Sequence, residues 1–343
     1  MSKVQPLNSP QREIHRILFI RTDRMGDLLM NLPALGILRR TYPKAWIAVF
    51  LDRSTAELLT NHPDIDEVIV ADARKLHGDF GYYWRTVRQI RKARFDLAVV
   101  SNPDKWWHLL TFFAGIPRRV GYRRKWSFFL TNTLARPKLW EDWHEIDLNL
   151  DLMRLLSGLR WDGKVSLPVD GLSKRKVNEK IAETFPDNKK FVAVHAGTSD
   201  PAKRWAKENF AEVCDRIREN GSYEAVLIGG LEEKAVSLEI QKLVRRPLVD
   251  WTGEFSLKEL AAFFQHERVH ALVSSDSGPV HVAWMSGLPV VALYAKNTPG
   301  SNPRRWGPKD AKSEVIFRPM DEISTQEVWE ALQRTLERGS VKR

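Results

Sequence analysis

The 343-residue chain has one cysteine, Cys214, which excludes an internal disulfide. It has no run of 18 apolar residues, so no stretch reads as a bilayer-spanning helix. Met1 to His15 is polar and lacks the apolar core of a signal peptide, which leads to the expectation of a cytoplasmic protein. G-x-G-x-x-G is absent, so there is no dinucleotide fingerprint. G-x-S-x-G is absent too, which leaves serine-hydrolase chemistry without support. No Cys/His group has zinc spacing. Gly158 to Lys164 imitates a P-loop but has Val165 where Ser or Thr is required, and it follows a helical pattern rather than a strand. Neither internal repeats nor low-complexity segments occur. Acidic residues are in deficit, 43 against 54 Lys and Arg, giving a net charge of +11. That balance favours an anionic partner: nucleic acid, anionic lipid or a phosphorylated substrate.

What is present is enough apolar material, 43% of residues, for substantial cores. Short apolar runs alternate with helical patterns. Arg16 to Arg21, Ala45 to Leu51, Glu67 to Val70 and Leu97 to Ser101 read as strands. Helices are expected over Leu28 to Arg40, Tyr83 to Arg94 and His144 to Leu159. After a Gly/Pro-bearing segment the alternation resumes. Strands are expected at Phe191 to His195, Ala225 to Ile228, Leu248 to Trp251, Val269 to Ser274 and Val290 to Tyr294, with helices between them and a last helix at Gln326 to Arg338. The pattern predicts an α/β protein of two Rossmann-like domains with parallel sheets. The expected divisions are residues 1–165, a linker region 166–188, a second domain 189–322, and a C-terminal helix and tail 323–343.

One stretch stands apart. Trp106, Trp107, Trp126, Trp140 and Trp143 cluster with Phe112, Phe113, Phe128 and Phe129 and with Arg118, Arg119, Arg123, Arg124 and Lys125. Such a mixture suits a membrane interface, a phosphorylated amphiphile or a single-stranded nucleic acid. It also suits rings that are partly core beside charges that are merely solvated. Cys214, at helical spacing from Phe210, Val213 and Ile217, reads as core.

Chemistry-bearing residues gather where strands end. Ser275-Asp276-Ser277-Gly278-Pro279-Val280-His281 lies between a buried strand and a helix, so it offers either an anion site at a helix start or a helix cap formed by Asp276 or Ser277. Thr22 to Leu29 holds Gly26 for a tight turn and Asp27 at a helix start, either a cap or a carboxylate able to take a proton from a hydroxyl. His195 to Trp205 carries hydroxyls and then Lys203, which suits a diphosphate. Gly229-Gly230-Leu231-Glu232-Glu233 can present a carboxylate to ribose hydroxyls. Asp64-Ile65-Asp66 has a D-x-D form but reads as a loop.

These turns, in this order, resemble the ADP-heptose:lipopolysaccharide heptosyltransferases, glycosyltransferase family 9. The likeness lies in ILFIRTDRMGDLLMNLPAL (Ile17 to Leu35), HPDIDEV (His62 to Val68), VHAGTSDPAKRW (Val194 to Trp205), LIGGLEE (Leu227 to Glu233), SLKELAAFF (Ser256 to Phe264) and SSDSGPVHVAWMSGLPVVALY (Ser274 to Tyr294). The resemblance implies the GT-B fold, two Rossmann-like domains facing a cleft. It also implies inverting transfer of heptose from ADP-heptose to a lipopolysaccharide core acceptor, with a nucleotide sugar as co-substrate and no metal. Asp27 matches the family's base, and Lys203 the lysine near the donor phosphates. Thr198, Glu233, Asp276, Ser277, Gly278 and His281 match donor-contacting positions, and Phe255 the apolar residue near the adenine. Arg24, Gly26, Arg123 and Arg124 are expected to meet the acceptor, a phosphorylated glycolipid at the anionic inner face of the inner membrane. Nucleic acid is not expected as a partner. The sequence departs from the family at Ala206 (usually proline), at Ala295-Lys296 (usually Gly-Pro) and at Gly197 (a hydroxyl residue in some members). These departures border the donor pocket and leave open an alternative, a GT-B enzyme with another nucleotide sugar or another cell-surface glycan acceptor.

Overall fold

Short β-branched runs with no polar face can be stable only as strands covered on both sides. In the computed structural model, which describes residues 13–102, 104–135, 142–163, 165, 167–296 and 301–340, that is where they lie. The chain divides into two compact units at Pro168/Val169. Met1 to Arg12, Trp140 and Lys164 lie outside the described residues.

The first unit contains β1 (Arg16–Ile20), α1 (Met25–Leu29), α2 (Leu32–Thr41), β2 (Trp46–Asp52), β3 (Glu67–Ala71), α3 (Ala73–Gly78), α4 (Phe80–Lys92), β4 (Leu97–Val100), α5 (Lys105–Phe113), β5 (Arg118–Tyr122), β6 (Asn132–Leu134) and α6 (Glu145–Met153). Its strands form one parallel sheet in the order β3-β2-β1-β4-β5-β6. The second unit contains α7 (Gly171–Thr184), β7 (Lys190–His195), α8 (Lys207–Glu219), β8 (Tyr223–Leu227), α9 (Lys234–Leu243), β9 (Val249–Asp250), α10 (Leu257–Gln265), β10 (Val269–Ser275), α11 (Gly278–Met285), β11 (Val290–Ala295), α12 (Pro303–Trp306), β12 (Glu314–Arg318) and α13 (Thr325–Ser340). Its parallel sheet runs β12-β11-β10-β7-β8-β9. Numbered from its own first strand, this is the same 3-2-1-4-5-6 Rossmann order. In such a sheet the connections diverge between strands 1 and 4, and a crevice opens at their carboxyl ends. Those ends are Ile20 beside Val100 in the first unit and His195 beside Ser274 in the second.

Each sheet is buried on both faces. In the first unit Leu18, Ile20, Phe50 and Val100 pack against Val87, Ile90, Trp107 and Leu110. In the second, Val194, Leu227 and Val273 pack against Phe210, Val213 and Cys214 on α8. Helix α13 adds Val328, Ala331 and Leu332, all fully buried, so it is part of that core. Helix α7, inside the segment read as linker, packs on α10.

Several elements differ from the expectation. The helix foreseen over Leu28 to Arg40 starts at Met25 and is broken at Met30-Asn31, because Pro33 in the first turn of α2 has no N–H to continue the ladder. The basic aromatic stretch holds a helix and two sheet strands that the pattern hid. Helix α5, KWWHLLTFF, is apolar nearly all round, and β5 opens on two arginines. The helix expected at His144 to Leu159 stops at Met153. Strand β12 begins and ends on charged residues and was not anticipated.

Ala206 caps α8 with φ −61°, a value a proline ring fixes, and its N–H donates no hydrogen bond among the described residues. Ala206→Pro is therefore expected to stabilise the second domain by roughly 0.4–1 kcal/mol through the unfolded chain's entropy. A lowered midpoint in denaturant unfolding would contradict this.

Candidate active site

In the first domain the site grows from a charge placed where the core should be. The guanidinium of Arg21, one residue past β1, is only 3% exposed. A buried arginine requires anions and acceptors, and it has them. Its Nη1 donates to the Ser101 carbonyl (3.2 Å) and Oγ (3.3 Å) at the end of β4. Its Nη2 meets Asp27 Oδ1 at 2.6 Å, Asp23 Oδ2 at 3.2 Å and Glu145 Oε1 at 3.3 Å. The turn after β1, the start of α6 and the end of β4 thus converge on one side chain.

A neutral web fixes the rest. Asn31 Nδ2 donates to the Asp27 carbonyl (2.8 Å), Ser101 Oγ to Asn31 Oδ1 (2.6 Å), and Asn149 Nδ2 to the Met30 carbonyl (3.1 Å). Asn102 bridges Thr22 and Asp23. Asp27, in the first turn of α1, is held through Oδ1, while its Oδ2 accepts no hydrogen bond among the described residues.

Three carboxylates share one cation. Asp23 bears the consequence: burial, which Arg21 opposes and which Asp27 and Glu145 reinforce, pushes its carboxyl up to about 6. Gly26 is buried within α1, and Arg24 is its exposed cap residue. Arg123 and Arg124 are exposed just past β5, and no hydrogen bond or ion pair among the described residues links either to Asp27.

In the second domain the turn after β10 decides between a cap and an anion site. Ser277 is the cap residue of α11, yet its side chain does not cap. Its Oγ lies 3.2 Å from His195 Nδ1 and 3.0 Å from Ser274 Oγ. The first-turn N–H groups of α11, which begins at Gly278, have no side-chain partner among the described residues, which favours an anion there. Asp276 does not cap either. Its Oδ2 accepts from Lys203 Nζ (2.7 Å) and Ser301 Oγ (3.1 Å), so it aims the lysine within this turn. His281, one turn along α11, lies against Trp306.

His195 ties two turns together. Its Nε2 is 2.9 Å from Glu233 Oε2 and must donate, since a carboxylate only accepts. Glu233 Oε2 also accepts from Gly230 N–H at 2.8 Å. Burial opposes ionisation of Glu233, but the His195 bond and attraction, with the Gly230 N–H, outweigh it and hold the carboxyl below its ordinary range. Oε1 accepts no hydrogen bond among the described residues and lies over Gly197, where a Cβ would stand only 1.7 Å away. Gly197, noted as a departure, is therefore the residue that leaves room for Glu233. Thr198 stays local, its Oγ1 accepting from Asp200 N–H at 3.3 Å. Phe255 stacks on Phe263 at 5.2 Å beside Trp251 and lies apart from this network.

Sequence reasoning singled out Asp27, Lys203, Glu233, Asp276 and Ser277 but missed Arg21, Asp23, Glu145, Ser274 and Ser301. The signal that could have found Arg21 was a charged residue closing an otherwise apolar strand, RILFIR. The D-x-D pair is structural: Asp66 Oδ2 accepts from Ile47 N–H (2.7 Å) and pairs with Arg39.

The family model for glycosyltransferase family 9 (heptosyltransferase) matches residues 83–332. The chain belongs to glycosyltransferase family 9. It is 27% identical over 321 residues to lipopolysaccharide heptosyltransferase 2 of Escherichia coli K12, covering 88% of this chain and 87% of that one. The crystal structure of a family 9 glycosyltransferase from Veillonella parvula superposes with a TM-score of 0.87 at 23% identity, covering 96% of this chain and all of that one. The ADP-heptose lipopolysaccharide heptosyltransferase II structure from E. coli gives 0.79 at 24% identity, covering 95% and 99%. This glycosyltransferase thus has the GT-B fold class of two Rossmann-like parallel-sheet domains.

The Asp23 carboxyl gives the enzyme a pH signature. It ionises near the ordinary aspartate value when unfolded but keeps its proton to about pH 6 when folded. Its stabilising contribution is therefore complete below about pH 4 and lost as pH rises through 6. Asp23→Asn should raise the thermal midpoint at pH 7.5, by an amount corresponding to roughly 1–3 kcal/mol, and leave it unchanged at pH 4. An equal effect at both pH values would contradict this origin.

Proposed function

We propose that this protein transfers heptose from ADP-heptose to a lipopolysaccharide core acceptor with inversion. The observation that carries the proposal is the uncapped start of α11 beside Lys203, at the switch point of the second sheet. It has the requirements of a nucleoside diphosphate site: open N–H groups, a helix dipole and one aimed ammonium. Glu233 Oε1, over Gly197, would accept a ribose hydroxyl. Thr198, Asp276, Ser277, Gly278 and His281 would complete the donor contacts, with Phe255 toward the base.

In the first domain Asp27 would act as general base. Arg21 anchors Oδ1, leaving Oδ2 to take the proton of the acceptor hydroxyl. That oxygen then bonds to the anomeric carbon as the bond from this carbon to the diphosphate oxygen breaks. The departing charge falls on Lys203 and the α11 N–H groups. With the lysine and the helix start offsetting that charge, the displacement would proceed without a metal ion. Arg24, Gly26, Arg123 and Arg124 are the proposed acceptor contacts. The acceptor would be a phosphorylated glycolipid reached at the cytoplasmic face of the inner membrane, with the enzyme associated peripherally.

Asp27→Asn is expected to lower kcat with ADP-heptose by roughly 10²–10⁴-fold while the ADP-induced thermal shift stays intact. Normal turnover in this variant would remove Asp27 from the mechanism. Gly197→Ala should weaken ADP binding about tenfold by displacing Glu233, and should lower the thermal midpoint because His195 Nε2 and Gly230 N–H lose their shared acceptor. Unchanged affinity would separate Glu233 from the nucleotide. A thermal-shift panel of ADP-, UDP-, GDP- and CMP-sugars tests the donor, and a response to another base alone would favour the alternative nucleotide sugar.

A further inference from the structure

Four of the exposed rings of the first domain are not scattered. Phe80 is 78% exposed and Phe128 76%, with Phe112 and Phe113 also exposed. They belong to one ridge. Phe80 touches Trp84 (5.9 Å between centroids), Trp84 touches Phe113 (5.1 Å), Phe113 touches Phe112 (5.5 Å), Phe112 touches Phe129 (4.8 Å) and Phe129 touches Phe128 (4.4 Å). An apolar ridge of this kind in water marks an interaction surface.

Its surroundings are cationic. Arg119 lies 5.5 Å over the Phe112 ring. Arg85, Arg88, Arg91 and Lys92 are exposed on α4, and Arg123, Arg124 and Lys125 are exposed just before Phe128. Between Phe80 and Ala135 eleven Lys and Arg stand against two acidic residues, Asp96 and Asp104. Both acids serve the backbone: Asp96 accepts from His15 and Arg16 N–H, and Asp104 caps α5. Most of the chain's net charge of +11 therefore arises around this ridge.

The turn that presents Phe128 is held at a cost. Trp126 has φ 63°, the left-handed region that a bulky side chain avoids. Lys105 over its ring (5.0 Å) and Trp106 at its edge (6.5 Å) hold it there. Backbone strain of this kind persists where the surrounding structure over-determines the residue, and it clusters at functional segments.

We propose that this ridge inserts into the interface of an anionic lipid bilayer, with the surrounding arginines and lysines on the headgroups. Apolar rings in the headgroup region and basic residues on anionic lipid are the two forces that hold a peripheral protein. Single-stranded nucleic acid fits less well, because bases stack on free, separated ring faces. Here neighbouring rings are 4.4 to 5.9 Å apart between centroids and form one continuous apolar ridge rather than separate platforms. No helix among the described residues is long and apolar enough to cross a membrane, so contact of this kind would be at the surface. The inference rests on the proposed function only for its purpose, which is to bring the first domain to a lipid-anchored acceptor.

Co-sedimentation of the full-length enzyme with vesicles tests it. Wild type should bind vesicles containing phosphatidylglycerol and not pure phosphatidylcholine. Phe80→Ser/Phe128→Ser and, separately, Arg88→Glu/Arg91→Glu should each lower binding about tenfold or more. Both variants should keep the thermal midpoint and the ADP-induced shift of wild type. Failure of wild type to bind anionic vesicles, or undiminished binding by the Phe80→Ser/Phe128→Ser variant, would overturn the proposal. So would a preference for single-stranded oligonucleotide over vesicles. Vesicle binding as expected without any response to nucleotide sugars would leave this surface standing and remove the proposed donor.

Discussion

A guanidinium cannot be buried without anions, and the first domain is organised around that constraint at Arg21. The residue stands where β1 leaves the sheet, at the one place in a 3-2-1-4-5-6 sheet where neighbouring connections part. It draws together Asp23 and Asp27 from the following turn, Glu145 from α6 and Ser101 from β4. Buried ion pairs of this kind add little net stability, because desolvation offsets attraction, but loss of one partner is costly. Their effect is positional: Asp27 is held through Oδ1, while Oδ2 accepts no hydrogen bond among the described residues. The excess of carboxylates keeps the cluster electron-rich, and Asp23 relieves part of that excess by retaining its proton to about pH 6.

The second domain solves the complementary problem at the same topological point. Where the first collects carboxylates, the second assembles donors. Serine at a helix start usually caps it, yet Ser277 is turned toward His195 and Ser274, and the α11 N–H groups stay open. His195, fixed by those hydroxyls on one nitrogen, orders Glu233 with the other. Asp276, which also accepts from Ser301, holds Lys203 beside this turn. One sheet order thus carries two clusters of opposite character, carboxylates around Arg21 in one domain and hydrogen-bond donors around Asp276 in the other.

Much of this was legible from strand-end residues. Each βα turn is short, and its composition shows what it can bind, so Asp27, Lys203, Glu233 and the Ser275 to His281 turn could be found directly. Arg21 and Glu145 could not be paired, because they lie 124 residues apart and only the sheet order joins them. The role of Ser277 was open for a similar reason: its partners, His195 and Ser274, come from different strands. Helix α5 and strand β5 were hidden by local composition, an all-round apolar helix and a strand opening on arginines. Gly197 looked like a departure until the neighbouring Glu233 side chain explained it.

The central claim is a single displacement in which Asp27 takes the acceptor proton while Lys203 and the α11 start receive the diphosphate. The anomeric configuration of the transferred sugar, read by NMR on the product of wild-type enzyme, tests it most directly. A single displacement inverts the anomeric centre relative to the donor. Retention of configuration would contradict the account, because it requires a second displacement and leaves Asp27 without the assigned step.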